Sequence, residues 1–252
     1  MYEVVDAPVE LHRNPLGRAP VATHAGAAFF CEQLKKRLGS VNATRWKILV
    51  AGCGAGHEAA FIQATFGCQV EAVDIELFAS PELQNTPGLT VGIASVTNLP
   101  FEQGQFDAVF YHHVIEHVND PHESICEISR VLKPGGWLFI GTPNRHRLIS
   151  AVGAHQQTDW ESTWQNKLKE NWQDWRARLL GRFRNELGAH AGFSQSELDK
   201  MLSKHFERRD WLTGHYLRFK YRDSRARWLL PMVTSFPFVH CIPPGIYVFA
   251  QR

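Results

Sequence analysis

The most constraining feature of this sequence is an apolar run that leads directly into a glycine-rich turn and then into a helical pattern. Residues 47–52 are KILVAG, and the turn Gly52-Cys53-Gly54-Ala55-Gly56 precedes HEAAFIQATF. An unbroken apolar run is typical of a strand buried on both faces of a parallel sheet. Glycines between a strand and a helix let backbone N–H groups and the helix N-terminus approach a ligand closely. The segment therefore predicts an α/β fold with a ligand site at this turn.

Further apolar runs predict strands that alternate with helices over about 100 residues. They are CQVEAVD ending on Asp74, LTVGIA, FDAVFYHH and WLFIGT, and GIYVFAQR near residue 252 predicts a last strand. A helix between Asp120 and Leu132 is expected to stop at Lys133-Pro134-Gly135-Gly136, before WLFIGT. This alternation predicts right-handed crossovers and a Rossmann-like, doubly wound, mostly parallel sheet.

The segments around the predicted sheet divide the chain into four parts. Residues 1–45 comprise an irregular segment and an amphipathic helix over Ala22 to Leu38, and residues 46–145 form the α/β core. A helical, Trp-rich cap insert is predicted over 146–192, and 193–252 completes the fold. In the last part, Ser194 followed by Glu197 predicts a capping box that begins a helix.

The insert has apolar residues at helical spacing, so one helix face can carry Trp160, Trp164, Leu168, Trp172, Trp175 and Leu179. Six basic residues give the insert a basic face opposite the aromatic one: Lys167, Lys169, Arg176, Arg178, Arg182 and Arg184. Three interpretations stay open: the tryptophans pack on the domain, the insert is a lid over an apolar acceptor, or it is an interfacial helix on a lipid surface.

Composition narrows the function classes. The chain has 27 Lys and Arg against 25 Asp and Glu, a net charge of +2, which argues against nucleic acid as a partner. Its five cysteines include no CxxC pair, and the start of the sequence lacks the pattern of a signal peptide, so a cytoplasmic location is expected. The longest apolar stretch, Trp228 to Pro244, contains four prolines, and no transmembrane segment is predicted.

Asp74 at the end of the second strand suggests the kind of ligand. A carboxylate there can accept hydrogen bonds from both hydroxyls of a ribose, so the glycine turn and Asp74 together predict an adenosine-containing cofactor. Gly54 to Ala59 also satisfies G-x-G-x-x-G/A, with Asp74 about 20 residues further on, which keeps a nicotinamide dinucleotide open. The remaining alternative is a plain glycine-rich turn beside a solvated aspartate.

Four stretches resemble the class I S-adenosylmethionine-dependent methyltransferases in order and spacing. They are KILVAGCGAG, VEAVDI, ASVTNLPFEQGQFDAVFYHHVIEHVNDP and ISRVLKPGGWLFIGTPN, within residues 46–145. The resemblance implies a seven-stranded sheet with an antiparallel last strand and a site for S-adenosylmethionine. The residues it implies for that site are Gly52, Gly54 and Gly56 at the methionine end, Asp74 on the ribose, Ser95 and Val96 at the adenine, and His112 against the cofactor. Ser95 stands where the family usually carries an aspartate, so any hydrogen bond to the adenine loses its charge assistance.

The turn after the fourth predicted strand carries candidate catalytic residues, His113, Glu116 and His117. It is similar to the Glu-x-x-Glu-His of ubiquinone-pathway O-methyltransferases, which holds a divalent ion near the acceptor hydroxyl. His113 replaces the first glutamate, which makes magnesium less favourable and leaves manganese, zinc or no metal open. Metal-free general-base catalysis by His117 is the other alternative. His190 is either a residue of the acceptor pocket or an ordinary loop residue.

Two further interpretations of this turn remain open. The residues also match H-x-x-E-H, a zinc-protease pattern that needs both histidines on one helix. Alternatively, Glu116 and His117 only order the turn.

The sequence thus predicts an S-adenosylmethionine-dependent methyltransferase that acts on a small-molecule or lipid-like acceptor, at oxygen in preference to nitrogen or carbon. A divalent metal and a peripheral membrane contact are further expectations. The alternatives are an NAD-dependent oxidoreductase and a non-catalytic S-adenosylmethionine-binding protein that contacts a partner through its aromatic insert.

Overall fold

The computed structural model describes residues 24–39, 42–76, 79–149, 164–185, 190–225 and 227–252. Its strands are β1 (Lys47–Ala51), β2 (Gln69–Asp74), β3 (Leu89–Ile93), β4 (Phe106–His112), β5 (Leu132–Pro143), β6 (Arg208–Trp211) and β7 (Gly245–Gln251). Its helices are α1 (Ala25–Leu38), α2 (His57–Phe66), α3 (Pro81–Gln84), α4 (Pro121–Val131), α5 (Trp164–Leu179), α6 (Gln195–Leu202), α7 (Thr213–Lys220), α8 (Leu230–Val233) and α9 (Phe238–Cys241).

The strands form one seven-stranded sheet in the order β3-β2-β1-β4-β5-β7-β6. Strands β1 to β5 pair in parallel, and β7 runs antiparallel to both β5 and β6. The predicted fold class and the antiparallel last strand are therefore confirmed. The strand order reverses between β1 and β4, and open α/β sheets bind ligands in the crevice outside the carboxyl ends of the strands at such a point.

The sheet is buried on both faces, which explains why its strands are continuous apolar runs. Ile48 and Val50 point into a core that α1 and α2 cover. Their neighbours Leu49 and Ala51 point into a second core that α4 and α6 cover. Successive side chains alternate between the faces, so an interior strand with helices on both sides needs apolar residues throughout.

The prediction that Lys133-Pro134-Gly135-Gly136 precedes the fifth strand is wrong. β5 already begins at Leu132, which pairs with Phe106, and the pairing resumes with Trp137 opposite Ala108. The residues of β5 between Leu132 and Trp137 form a bulge. Gly135 in this bulge has a φ of 76°, a conformation that glycine adopts at little cost in free energy.

The sequence did not indicate β6 or α7. β6 is the charged segment RRDW at the edge of the sheet, where only one neighbouring strand is needed and no apolar run is required. The predicted first helix is confirmed but begins at Ala25, and its predicted start at Ala22 lies outside the described residues.

Helix α5 lies within the predicted insert and contradicts one interpretation of it, while the cap itself remains a prediction. Asp174 is buried with 4% exposure, whereas Trp172 and Leu179 are 69% and 83% exposed. Leu168 and Trp175 are exposed as well, so these apolar residues do not pack on the domain. Trp160 and the side chain of Trp164 lie outside the described part of the chain. No helix within the described ranges is long and apolar enough to cross a membrane.

Candidate functional site

The glycine turn opens at the carboxyl end of β1. The Gly52 N–H donates to the carbonyl of Val73 at 2.8 Å, which ties the turn to β2. Gly52, Gly54 and Gly56 all have positive φ, of 76°, 51° and 84°. A Cβ on Gly52 would lie 2.2 Å from a methyl group of Val114, whereas a Cβ on Gly54 would meet nothing within 4 Å. The turn therefore requires its glycines, and Gly54 faces open space.

Asp74 lies directly beside this turn, as the sequence predicts. Its Oδ2 accepts a hydrogen bond from the Gly54 N–H at 2.7 Å, and its Oδ1 accepts one from the Ile75 N–H at 2.7 Å. Burial, reinforced by the Asp74 carboxylate, raises the pKa of the Cys53 thiol to about 11. Cys53 therefore stays protonated near neutral pH and is a poor nucleophile beside the turn.

The loop after β3 brings Ser95 and Val96 to the same edge, since the Ala94 N–H donates to the Asp74 carbonyl at 2.9 Å. Ser95 is exposed, and its hydroxyl accepts a hydrogen bond from the Thr97 N–H at 3.2 Å. Val96 is buried in the core. Adenine binding by these two residues remains a prediction.

His112 is packed beneath α1. A Cβ on Gly26 of α1 would lie 2.4 Å from the His112 ring. His112 Nδ1 lies 3.5 Å from the carboxylate of Glu58, the second residue of α2, and His112 Nε2 is buried without a hydrogen-bond partner among the described residues. Burial, and then the neighbouring His113, lowers the pKa of His112. No sequence motif indicated Glu58, although its place in the first turn after the glycine loop is close to the site.

Glu116 points into the protein. It is 5% exposed, its Oε2 accepts a hydrogen bond from the Thr142 hydroxyl at 3.0 Å, and its Oε1 lies 3.3 Å from His113 Nδ1. Burial opposes ionisation of Glu116, but His113, a backbone hydrogen bond and His117 together outweigh burial and lower its pKa. His113 has φ of 55°, which is uncommon for a residue with a side chain. The ionised Glu116 thus contacts both His113 and Thr142, which lies near the end of β5.

His117 and His190 meet at the carboxyl edge of the sheet. Their ring centroids are 4.6 Å apart with an interplanar angle of 77°. His117 ends the 3-10 turn Ile115–His117 and is exposed, while His190 precedes α6 with φ of 43°. The Arg147 guanidinium donates to the His190 carbonyl at 3.2 Å and fixes the backbone there. The fold therefore brings His190 to the predicted catalytic turn.

The described residues include no group of three or more His, Cys, Asp or Glu side chains arranged to hold a metal ion. Glu116 is occupied by His113 and Thr142. The H-x-x-E-H pattern spans a strand end and a single 3-10 turn, so its histidines do not share a helix as a zinc protease would require.

A cavity of about 410 Å³ opens beyond the carboxyl end of β5. Asn144 and His146 line it from the end of β5, Ser194 from the start of α6, and Trp211 and Ile246 from β6 and β7. No predicted site residue is among the residues that line it. Because these residues come from four separate segments, no local motif could indicate the cavity.

Comparison with protein families matches residues 49–140 to a methyltransferase domain. A ubiquinone biosynthesis O-methyltransferase of Chromobacterium violaceum is 34% identical over 117 residues, which cover 43% of this chain and 50% of that protein. The corresponding protein of Xanthomonas oryzae pv. oryzae (strain PXO99A) is 38% identical over 109 residues, or 39% of this chain and 44% of that protein. The chain thus spans about half the length of the curated relatives it matches.

Solved structures share the fold at lower identity. A geranyl diphosphate methyltransferase in complex with GPP and sinefungin aligns with a TM-score of 0.51 and 20% identity, over 89% of this chain and 77% of that one. An S-adenosylmethionine-dependent methyltransferase from Mesorhizobium loti aligns with a TM-score of 0.54 and 17% identity, over 88% of this chain and 98% of that one. Both similarities extend across most of the chain and concern its fold.

Proposed function

We propose that this chain, which carries a class I S-adenosylmethionine-dependent methyltransferase domain, transfers a methyl group to an oxygen of a small-molecule or lipid-like acceptor. The main support for the proposal is the hydrogen bond that the Gly54 N–H donates to Asp74 Oδ2 at 2.7 Å. A Cβ on Gly54 would meet nothing within 4 Å, so a ligand has room to approach this backbone. The open glycine backbone and a carboxylate meet at the topological switch point, where this fold binds its ligand.

The residues around the turn suit S-adenosylmethionine. Glycine backbone approaches a ligand without a Cβ in the way, and a carboxylate at the end of β2 accepts hydrogen bonds from ribose hydroxyls. In this proposal the methionine end lies by Gly52, Gly54 and Gly56, the ribose by Asp74, the adenine by Ser95 and Val96, and His112 backs the site from beneath α1.

When bound, the cofactor supplies an electrophilic methyl group, and transfer forms a C–O bond to the acceptor as the C–S bond to the sulfonium breaks. His117 takes the proton of the acceptor hydroxyl, since an imidazole is a common general base. Glu116 and His113 position His117 because Glu116 ties the turn to Thr142 of β5. His190 limits the orientations open to the His117 ring.

Two observations favour oxygen as the acceptor atom. The curated relatives are named O-methyltransferases, although they are matched over only part of their length. The second is the exposed His117, since an oxygen acceptor needs a general base and a carbon or amine acceptor does not require one.

A methyl-transfer assay tests the proposal. The purified chain would be incubated with radiolabelled S-adenosylmethionine and a panel of phenols, catechols and isoprenoid-substituted phenols. Base-stable label in a phenolic ether is the expected result. A non-catalytic cofactor-binding protein would bind the cofactor and label no acceptor, and an oxidoreductase would gain thermal stability from NAD instead.

A further inference from the structure

Exposed apolar side chains are concentrated in one part of the surface. Fourteen large hydrophobic residues are exposed among the described residues, and eleven of them come from three segments, 148–149, 168–180 and 228–238. The most exposed are Leu179 at 83%, Phe236 at 81%, Trp228 at 74% and Trp172 at 69%. Isolated exposed hydrophobic residues are ordinary, but a concentration of this kind marks an interaction surface.

Polar contacts fix the orientation of α5 and leave its apolar side outward. Arg147 Nε donates to Asp174 Oδ2 at 2.9 Å, and both side chains are nearly inaccessible, at 1% and 5% exposure. Arg178 Nη2 donates to the carbonyls of Arg145 and Arg147 at 2.8 Å and 3.1 Å. Because α5 attaches through Asp174 and Arg178, the exposure of Trp172 follows from how the helix is docked.

The three segments are neighbours in the fold. The bonds of Arg178 place α5 beside the backbone of 145–147, which continues into Leu148. The Leu148 N–H donates to the Cys241 carbonyl at 2.7 Å, which places the end of α9 beside Leu148. The apolar residues therefore belong to segments that adjoin one another close to the end of β5.

The same region carries a positive charge that the whole chain does not show. Residues 164–185 contain six Lys or Arg and two Asp or Glu, and residues 213–241 contain five against one. The chain as a whole has a formal net charge of only +2. Exposed cations, among them Arg176, Arg182 and Arg184, accompany the exposed tryptophans.

We propose that a docking surface, formed by the exposed residues that the structure describes in 148–149, 164–185 and 213–241, binds a bilayer that contains anionic lipids. Tryptophan and leucine enter the boundary between headgroups and acyl chains, while arginine and lysine pair with anionic headgroups. Leucine, isoleucine and methionine gain little from nucleic acid, so their abundance favours a bilayer over a polynucleotide. The proposal does not depend on methyl transfer, because it concerns binding alone.

The test measures binding of the full chain to phosphatidylcholine vesicles with and without phosphatidylglycerol, by co-sedimentation and by the tryptophan emission maximum. We expect binding to the anionic vesicles with a blue shift, and weaker binding at high salt. The double variant Trp172→Ser/Trp175→Ser should weaken it by about tenfold or more. Arg176→Glu/Arg182→Glu should weaken binding to the vesicles that contain phosphatidylglycerol and leave any binding to pure phosphatidylcholine vesicles unchanged.

Matched controls lie outside the docking surface. Ile75→Ser/Ile93→Ser removes two other exposed apolar side chains, and Lys204→Glu reverses another exposed cation, and both should bind as the unaltered chain does. Circular dichroism of every variant confirms that it is folded. The proposal is overturned if anionic vesicles do not bind, if the controls weaken binding as much as the tryptophan variant, or if single-stranded RNA displaces the vesicles by occupying the same surface. Cofactor binding measured on the same samples separates this result from the proposed enzymatic activity.

Discussion

The rings of His117 and His190 contact each other edge to face, 4.6 Å apart, although they come from distant parts of the sequence. His117 follows β4, and His190 precedes α6, where Arg147 holds its carbonyl. A ring held by a second ring loses rotational freedom, which favours a single orientation toward the acceptor. In the proposed function, this contact limits the orientations that the His117 ring can adopt toward the acceptor.

Replacing His117 by alanine should lower kcat for a hydroxyl acceptor by about 10²-fold to 10⁴-fold, because the acceptor loses its general base. Affinity for S-adenosylmethionine should not change, since the ring is not needed to hold the cofactor. His215→Ala removes an exposed histidine on α7 and serves as the control. Full activity of His117→Ala toward a phenol would exclude His117 as the base.

Gly54→Ala should weaken cofactor binding without an exceptional loss of stability. Gly104 is the matched control, because both glycines have positive φ, 51° and 68°, and a Cβ on either would meet nothing within 4 Å. Both variants should therefore lose about 1 kcal/mol of folding free energy through backbone strain. Only Gly54→Ala should reduce affinity for S-adenosylmethionine in a calorimetric titration. Equal affinities for the two variants would place the cofactor elsewhere.

Asp174→Asn should destabilise the chain by about 3–5 kcal/mol, because it removes the charge of the buried carboxylate that pairs with the buried Arg147 guanidinium. Asp223→Asn removes the acid of the exposed pair Arg222–Asp223, in which the aspartate side chain is 88% exposed, and should cost close to nothing. Urea unfolding followed by circular dichroism compares the two variants. Similar midpoints would mean that the Arg147–Asp174 pair does not anchor α5.

Stability should fall as the pH falls below about 6.5, in part because of His112. Burial and His113 lower the pKa of His112 in the folded chain, with Glu58 and Glu116 as the nearby carboxylates. In the unfolded chain His112 regains its ordinary pKa. Below that pH the unfolded state therefore binds a proton at His112 that the folded state does not bind, and protonation favours unfolding. His112→Gln should flatten this dependence between about pH 7.5 and about pH 5.5 in urea titrations. An unchanged slope would show that His112 does not contribute.

Local sequence patterns were sufficient to predict those elements whose conformation depends on the residues within the element itself. The strands, the glycine turn and the position of Asp74 follow from apolar runs and glycine spacing, and the capping box at Ser194 and Glu197 is formed as predicted. β6 was missed because an edge strand with the sequence RRDW has no apolar pattern. The bulge at Gly135 was missed because its register is defined only by pairing with β4.

The orientation of α5 could not be predicted for a related reason. Its sequence has one apolar side, and the usual expectation is that this side packs inward. Burial of Asp174 instead depends on Arg147, which belongs to another segment and shows no sequence signal of its role. The contact between Glu58 and His112 likewise joins α2 to the end of β4, and only the folded sheet brings them together.

Calorimetric titration of S-adenosylmethionine into the unaltered chain and into Asp74→Ala tests the cofactor site most directly. Saturable binding at one site per chain is expected, with no heat from NAD, and Asp74→Ala should weaken it by about tenfold or more, or ~1.4 kcal/mol. Glu71→Ala, which removes another carboxylate of β2, should bind as the unaltered chain does. Absence of S-adenosylmethionine binding, or an affinity that Asp74→Ala leaves unchanged, would contradict the assignment.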